Sequence, residues 1–280
     1  MSFSAKVKEE LCNHISSSRH CRLAELAAIV TMSGNLDDKI WTMDSENIFI
    51  KTKVDEITRM LGLEKNTDEW RSALKIQYVD NNIIIDTILI ERMCCKRAYL
   101  RGVFLAAGSL TNPEKGYHFE IVCEVEKQAN IIMGILIDFG LKAKLIERKK
   151  YYVVYIKDSS MIVDALNVMG AHVSLMDMEN VRILKDVRNA VNRRVNCETA
   201  NLNKTVSAAV KQIEDIKYIE AEKGIKYLPE NLWEIARLRL EEPELSLKDL
   251  GQMLNPPLGK SGVNHRLRKI SEIANELRRN

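Results

Sequence analysis

The stretch SLKDLGQMLNPPLGKSGVNHRLRKI, residues 246–270, contains two short helical patterns separated by a tight turn. The first pattern has the i, i+3, i+7 spacing of a single apolar helix face, formed by Leu247, Leu250 and Leu254. Pro256 ends this helix, because proline lacks a backbone amide and disfavours the helical conformation of the residue before it. We expect Ser261 to cap the following helix by accepting a hydrogen bond from a free backbone amide.

The second pattern predicts a helix with one buried and one exposed face. Its apolar positions are Val263, Leu267, Ile270, Ala274 and Leu277. The other face carries Ser261, Asn264, His265 and Arg268 close to the start of the helix. Because asparagine can pair with adenine and arginine with guanine in the DNA major groove, this face suits base recognition.

These features predict a helix-turn-helix, with a supporting helix ahead of it at Leu228–Glu241. We expect Asn264, His265 and Arg268 to contact bases, and Lys260, Arg266 and Lys269 to contact phosphates. A solvated helical hairpin with a charged face is the alternative that these residues leave open.

Charge is unevenly distributed along the chain, whose overall net charge is +3. Residues 181–280 hold 19 Lys and Arg against 14 Asp and Glu, and residues 259–280 hold six against two. Positive charge therefore accumulates around the predicted groove-reading helix, as attraction to DNA phosphates requires.

The length of 280 residues allows two domains, and the 46% hydrophobic and 29% charged content is typical of a globular protein. No uninterrupted apolar run is long enough to span a bilayer, and the polar start MSFSAKVKEE lacks the features of a secretory signal. We expect a cytoplasmic protein with no membrane partner.

Six cysteines without a secretory signal are expected to be reduced thiols that pack as small apolar residues. Cys12, His14, His20 and Cys21 bring possible metal ligands together in sequence. Their spacing matches no familiar zinc motif, and the adjacent side chains of His20 and Cys21 are expected to diverge from a helix. We therefore predict no metal site and no cofactor.

An internal repeat lies within the first two thirds of the chain. LAAIVTMSGNL at 26–36 aligns with LRGVFLAAGSL at 100–110. Both segments predict helices with small residues at close intervals, which lets two helix backbones pack nearly in contact. Gly34 and Gly108 follow the two helices, where glycine readily adopts a left-handed cap.

Similar elements follow each of these helices. After the second we predict strand Tyr117–Val125, helix Gln128–Phe139, strands Lys142–Glu147 and Tyr151–Lys157, and helix Met161–Met169. After the first we predict strand Lys39–Met43, helix Asn47–Leu61, and strands Leu74–Val79 and Asn82–Ile85. The fold class is therefore α+β, as tandem pseudo-twofold repeats followed by an all-α helix-turn-helix domain.

The paired helices, each feeding a β-sheet, resemble the LAGLIDADG homing-endonuclease fold. In that family an acidic residue just before the final glycine of each helix binds the metal ions that cut DNA. The matching residues here are Ser33 and Ala107, neither of which binds Mg²⁺ as a carboxylate does. Asp37 and Asp38 lie beyond the helix end in one copy alone. The sequence predicts no catalytic residues and no nuclease activity.

A degenerate LAGLIDADG-like domain followed by a helix-turn-helix resembles the WhiA family of bacterial regulators. The resemblance is carried by residues 19–36, 94–121, 179–216 and 256–270. It implies a DNA-binding transcriptional regulator, associated with the nucleoid and linked to sporulation, cell division or chromosome segregation. The implied partners are double-stranded DNA and, in some members, a second regulatory protein.

We expect three regions: 1–178 with repeats at about 1–93 and 94–178, a helical joint at 179–226, and the DNA-binding domain at 227–280. The joint is rich in arginine and asparagine. Arg193 and Arg194 are expected to hold phosphates, whereas its asparagines, such as Asn189 and Asn201, could instead cap backbone groups.

A second hypothesis assigns a protein- or ligand-binding role to the region 1–180, because its charge balance is slightly acidic. DNA contact would then be confined to the C-terminus, and a partner would choose the site. The third hypothesis is a metal-dependent nuclease, and Ser33 and Ala107 argue against it because neither supplies a carboxylate.

Overall fold

The computed structural model describes residues 1–36, 41–43, 47–63, 67–79 and 82–279. They divide into two units, Met1–Val187 and Arg188–Asn280, each with its own hydrophobic core. The boundaries predicted from sequence, after residues 178 and 226, stay predictions. Among the helices in the described ranges, none has both the length and the apolar character needed to cross a membrane.

The first unit alternates helices and short strands. Its elements are α1 Phe3–Cys12, α2 Arg19–Ser33, β1 Gly34–Leu36, β2 Trp41–Met43, α3 Ile48–Leu61, α4 Thr67–Ala73, β3 Ile76–Val79, β4 Asn82–Ile85, a 3₁₀ turn at Thr87–Ile90, α5 Met93–Ala107, β5 Gly108–Leu110, β6 Phe119–Cys123, α6 Glu126–Asp138, β7 Lys144–Arg148, β8 Tyr151–Ile156, α7 Ser159–Met169 and the start of α8 His172–Lys223. Residues 39 and 40 of the predicted strand Lys39–Met43 lie outside the described ranges.

Helices α2 and α5 pack against each other at the centre of this unit. A Cβ placed on Gly102 would lie 2.4 Å from the backbone oxygen of Glu25 and 2.7 Å from Cβ of Ala28. Ala27 and Ala28 are themselves fully buried. The close helix packing predicted from the small residues is confirmed.

A four-stranded antiparallel sheet follows α5, with strand order β5-β6-β8-β7. Ile121 pairs with Val154, and both are buried. The rings of Phe104 in α5 and Phe119 in β6 stack with centroids 5.3 Å apart, which joins this sheet to the central helix. Among the described residues of the first half, β1 pairs with β2 and β3 with β4 as two separate hairpins.

Gly108 follows α5, but the predicted left-handed cap is wrong. Its φ and ψ are −84° and 151°, so the chain passes directly into β5 in an extended conformation. Glycine is needed here for space, because a Cβ would lie 2.3 Å from the Phe104 ring and 2.7 Å from its Cα.

Three buried charged side chains join elements of the first unit. Oε1 of Glu25 in α2 accepts hydrogen bonds from Nζ of Lys53 in α3, at 2.5 Å, and from Nε of Arg101 in α5, at 3.0 Å. Lys53 also donates to the carbonyls of Leu11 and His14. Removing Glu25 would leave two buried cations without their anionic partner, so this carboxylate joins α2 to both α3 and α5.

The second unit is helical. It contains the rest of α8, a 3₁₀ turn at Ile225–Tyr227, α9 Glu230–Glu241, α10 Leu247–Met253 and α11 Lys260–Arg279. Ile216 and Ile219 of α8 pack into the core formed by the three shorter helices. The supporting helix predicted at Leu228–Glu241 corresponds to α9.

The arginine- and asparagine-rich joint is one uninterrupted stretch of α8, and residues 188–208 are exposed. Its asparagines cap no helix end, so the capping interpretation is wrong. Leu202 and Val206 in this stretch are 62% and 52% exposed, whereas Ile216, further along α8, is buried.

Gly102→Ala is expected to lower the free energy of unfolding by about 1–3 kcal/mol, because the new methyl group must push α2 and α5 apart. Gly134→Ala in α6 is the matched control, since its Cβ would meet nothing within 4 Å. This second change should stabilise the helix by up to about 1 kcal/mol. Urea unfolding followed by circular dichroism distinguishes them, and equal stability of the two variants would contradict the close helix contact.

Candidate nucleic-acid interface

Helix α10 begins with a local side-chain cap and ends against a tight turn. The Ser246 hydroxyl accepts a hydrogen bond from the Asp249 amide at 3.3 Å and donates to its carboxylate at 2.6 Å. After the turn, the Leu258 amide donates to the Gly251 carbonyl at 2.8 Å. A Cβ on Gly251 would lie 2.1 Å from the Leu258 carbonyl oxygen, so the turn can approach α10 because residue 251 is glycine.

Helix α11 begins at Lys260, one residue before the predicted cap. The Val263 amide donates to the Gly259 carbonyl at 3.1 Å, which places Ser261 inside the first turn. The prediction that Ser261 caps this helix is therefore wrong. Its exposed hydroxyl instead lies on the surface of the first turn.

One side of α11 is buried in the unit's core, through Val263, Leu267, Ile270 and Ala274. At about 100° per residue, Ser261, Asn264, His265 and Arg268 fall within one arc of about 100° on the exposed side. All four are exposed. The structure thus brings together the side chains predicted to meet bases.

The predicted phosphate contacts lie around this arc. Lys260 and Lys269 are exposed on its two flanks, whereas Arg266 is half-buried and lies about 160° around the helix axis from Arg268. Arg266 is therefore not on the same face as Arg268. The Arg268 Nε lies 3.6 Å from Oε1 of Glu272, and both side chains are more than half exposed, so this pair is weak and open to exchange.

Two polar contacts join α8 to the shorter helices, one through α9 and one through α11. Arg239 of α9 is buried and donates to Oε1 of Gln212 at 3.1 Å and to the Leu245 carbonyl at 2.9 Å. Arg278 donates to the buried carboxylate of Asp215 at 2.7 Å. Neither was predicted, because nothing in their sequence neighbourhood marks their partners. The close approach of the turn at Gly251 does have a signal in the sequence, since a glycine within a helical pattern often marks such a contact.

Arg193 and Arg194 are exposed on α8, where Arg194 Nε lies 3.0 Å from Oε1 of Glu198. Asp215, which joins α8 to α11, lies about 31 Å further along the helix axis. The structure therefore does not bring these two arginines to the exposed face of α11.

In homing endonucleases an acidic residue at the end of each paired helix binds metal, and the matching positions here carry no carboxylate. The Ser33 hydroxyl donates to the Ile29 carbonyl at 2.8 Å, within its own helix. Ala107 ends α5 and is half-buried. Asp37 and Asp38 lie outside the described residues.

The expectation that the adjacent side chains of His20 and Cys21 diverge is wrong. Nδ1 of His20 lies 3.3 Å from Sγ of Cys21 and 3.2 Å from Sγ of Cys95. The side chains meet because the first turns of α2 and α5 lie side by side, a contact that ligand spacing along the chain does not reveal.

Comparison with known proteins assigns both regions. The family models described as WhiA LAGLIDADG-like domain and WhiA C-terminal HTH domain match residues 96–188 and 191–274. A protein named "Probable cell division protein WhiA" from Lachnoclostridium phytofermentans is 46% identical over 99% of this chain and 100% of its own length. The chain belongs to the WhiA family.

Other WhiA relatives cover the same length. The protein of that name from Clostridium botulinum strain Hall is 43% identical over 99% of both chains. The solved full-length WhiA from Thermatoga maritima is 28% identical, with a TM-score of 0.61 over 99% of both chains. The α+β LAGLIDADG-like domain followed by a helical helix-turn-helix domain is therefore confirmed for this WhiA chain.

Gly251→Ala is expected to loosen the contact between α10 and the turn, because its methyl group would displace the Leu258 carbonyl. Hydrogen exchange of residues 247–263 should accelerate markedly, and unfolding of the second unit should cost about 1–3 kcal/mol less. Gly262→Ala in α11 is the control, since its Cβ meets only side-chain atoms at 3.7 Å or more. Unchanged protection in Gly251→Ala would refute this packing argument.

Proposed function

We propose that this chain is a DNA-binding transcriptional regulator that acts in cell division and chromosome segregation, or in sporulation, without cutting DNA. The exposed polar face of α11, presented by a helix whose other side is locked in the core, carries this proposal. The cell-division role is supported by the names of relatives that are 43–46% identical over 99% of this chain.

Base recognition is assigned to Asn264, His265 and Arg268. Their side chains share one exposed arc, and the amide and guanidinium groups match the hydrogen-bonding edges of adenine and guanine. Ser261 lies in the same arc at the start of the helix, where backbone amides of the first turn favour a nearby phosphate.

Phosphate contacts are assigned to Lys260 and Lys269, which flank the arc. Arg266, on the other side of α11 from Arg268, would extend its half-buried stem along the helix surface to reach a phosphate of the DNA backbone. Arg193 and Arg194 form a separate basic site on α8, distant from α11, that would hold phosphates without reading bases.

We further propose that the first unit is built from two pseudo-twofold repeats. The half that begins with α5 has the order helix, two strands, helix, two strands, and the half that begins with α2 has the same order with one additional helix, α4, after α3. The aligned sequences 26–36 and 100–110 and the direct packing of α2 on α5 support this interpretation.

The proposed absence of nuclease activity is tested by incubating the chain with supercoiled plasmid and Mg²⁺ or Mn²⁺. We expect no nicking, because Ser33 and Ala107 supply no metal-binding carboxylate. Metal-dependent nicking that disappears in an Asp37→Asn variant would show that an acid beyond the helix end has taken over this role.

Arg268→Ala and Lys269→Ala are expected to weaken DNA binding in different ways. On the duplex that the native chain selects from a random pool, Arg268→Ala should cost about 1–3 kcal/mol and relax the preference at one base pair. Lys269→Ala should weaken selected and random duplexes alike and lower the salt dependence of binding. Fluorescence anisotropy at several salt concentrations measures both effects.

Arg279→Ala is the control for charge, since it removes an exposed arginine from the far end of α11, about 16 Å from Arg268 along the axis. It should leave affinity for the selected duplex nearly unchanged. Equal losses on selected and random DNA for Arg268→Ala would contradict its assignment to base recognition.

The alternative function is a first unit that binds a protein or small ligand, which then directs the second unit to DNA. It is favoured by the net negative charge of the region 1–180, where Lys and Arg number 23 and Asp and Glu 25. Tight DNA binding by a variant in which Arg193, Arg194, Lys260, Arg266, Arg268 and Lys269 are all replaced by alanine would indicate that the first unit contacts DNA directly and would contradict this alternative.

A further inference from the structure

Four potential metal ligands meet where α2 and α5 begin. Nδ1 of His20 and the sulfur atoms of Cys21, Cys94 and Cys95 all lie within 4.8 Å of one another. His20 Nδ1 is 3.2 Å from Cys95, 3.3 Å from Cys21 and 4.0 Å from Cys94. Within the described ranges, no other group of three or more histidine, cysteine or acidic side chains converges in this way.

The two pairs occupy equivalent positions in their helices. His20 and Cys21 are the second and third residues of α2, and Cys94 and Cys95 are the second and third residues of α5. The pairs therefore match each other in the same alignment that relates the two helix sequences. Since α2 and α5 pack directly together, each helix contributes two ligands to one point between their first turns.

The ligand set and its spacing suit Zn²⁺. Three cysteines and one histidine form a common structural zinc site, in which Zn–S bonds of about 2.3 Å place tetrahedral sulfur ligands about 3.8 Å apart. The four atoms need small shifts to reach that geometry. Because four protein ligands leave no position for water, such a site is structural and not catalytic.

The position of the two pairs would stabilise thiolates bound to a metal ion. Each pair lies at a helix N-terminus, where the free amides and the helix dipole stabilise thiolates. Three thiolates around Zn²⁺ carry one net negative charge, which the two helix N-termini can stabilise.

We propose that His20, Cys21, Cys94 and Cys95 bind one Zn²⁺ that clamps the first turns of α2 and α5 together. Each cysteine loses its proton to solvent and binds as thiolate, and His20 binds through Nδ1 without a change in oxidation state. This site is independent of DNA recognition by α11.

The test is metal binding by the full chain, purified without a polyhistidine tag. We expect one equivalent of zinc by elemental mass spectrometry, and cobalt substitution should give the visible absorption of tetrahedral Co²⁺ with thiolate ligands. Cys94→Ser and Cys95→Ser should weaken Co²⁺ binding at least about tenfold. Cys94 is exposed, so its replacement should leave the fold intact, which circular dichroism checks.

Cys197→Ser is the matched control, because it removes another exposed cysteine, on α8 in the second unit. It should retain zinc and the cobalt spectrum. A chelator should lower the Tm of the native chain and of Cys197→Ser but not that of Cys94→Ser.

Three results would overturn the proposal. The native chain could hold no zinc and give no thiolate–cobalt spectrum, or Cys94→Ser and Cys95→Ser could bind Co²⁺ as tightly as the native chain. A disulfide among Cys21, Cys94 and Cys95 in freshly purified, metal-free chain would show that these cysteines form a redox pair instead.

Discussion

The near-contact of two helix backbones organises the first unit. Gly102 lets α5 approach the Glu25 carbonyl of α2 more closely than any side chain would allow. With that distance set, the side chain of Glu25 lies between Lys53 and Arg101, and the first turns of both helices bring His20 and Cys21 to Cys94 and Cys95. The buried charges and the thiol cluster are thus consequences of one packing constraint. Each adds specific polar contacts across the interface, which fix the relative position of the helices more precisely than apolar contact alone.

In the second unit, packing likewise separates a buried from an exposed face of α11. Val263, Leu267 and Ile270 bury one side of α11, while Asp215 and Arg239 fasten the surrounding helices through polar contacts. On the opposite side of α11, Asn264, His265 and Arg268 are exposed, so they are available for a ligand. A reading helix must be held firmly because hydrogen bonds to base edges depend on position and direction.

The sequence predicts what depends on local periodicity. It places the elements that it predicts within a few residues, although α1 and α4 are not among them. It also indicates the helix-turn-helix from its apolar spacing and proline turn, and the close packing of α2 and α5 from glycine and alanine. Features that depend on distant partners do not follow from it: the Glu25–Lys53–Arg101 group, the Arg239 and Asp215 contacts, and the convergence of His20 and Cys21 with two cysteines of another helix. Capping preference also fails at two positions, since Ser261 lies inside α11 and Gly108 is extended, because space and backbone hydrogen bonding decide the conformation there.

The central claim is that α11 chooses the DNA sequence. Its most direct test is selection of bound duplexes from a random pool by the native chain and by a triple variant, Asn264→Ala, His265→Ala and Arg268→Ala, whose positions are all exposed and should leave the fold unchanged. We predict that the native chain enriches one sequence motif and that the triple variant, still folded by circular dichroism, enriches none. Enrichment of the same motif by both proteins would contradict the account and place base recognition elsewhere in the chain.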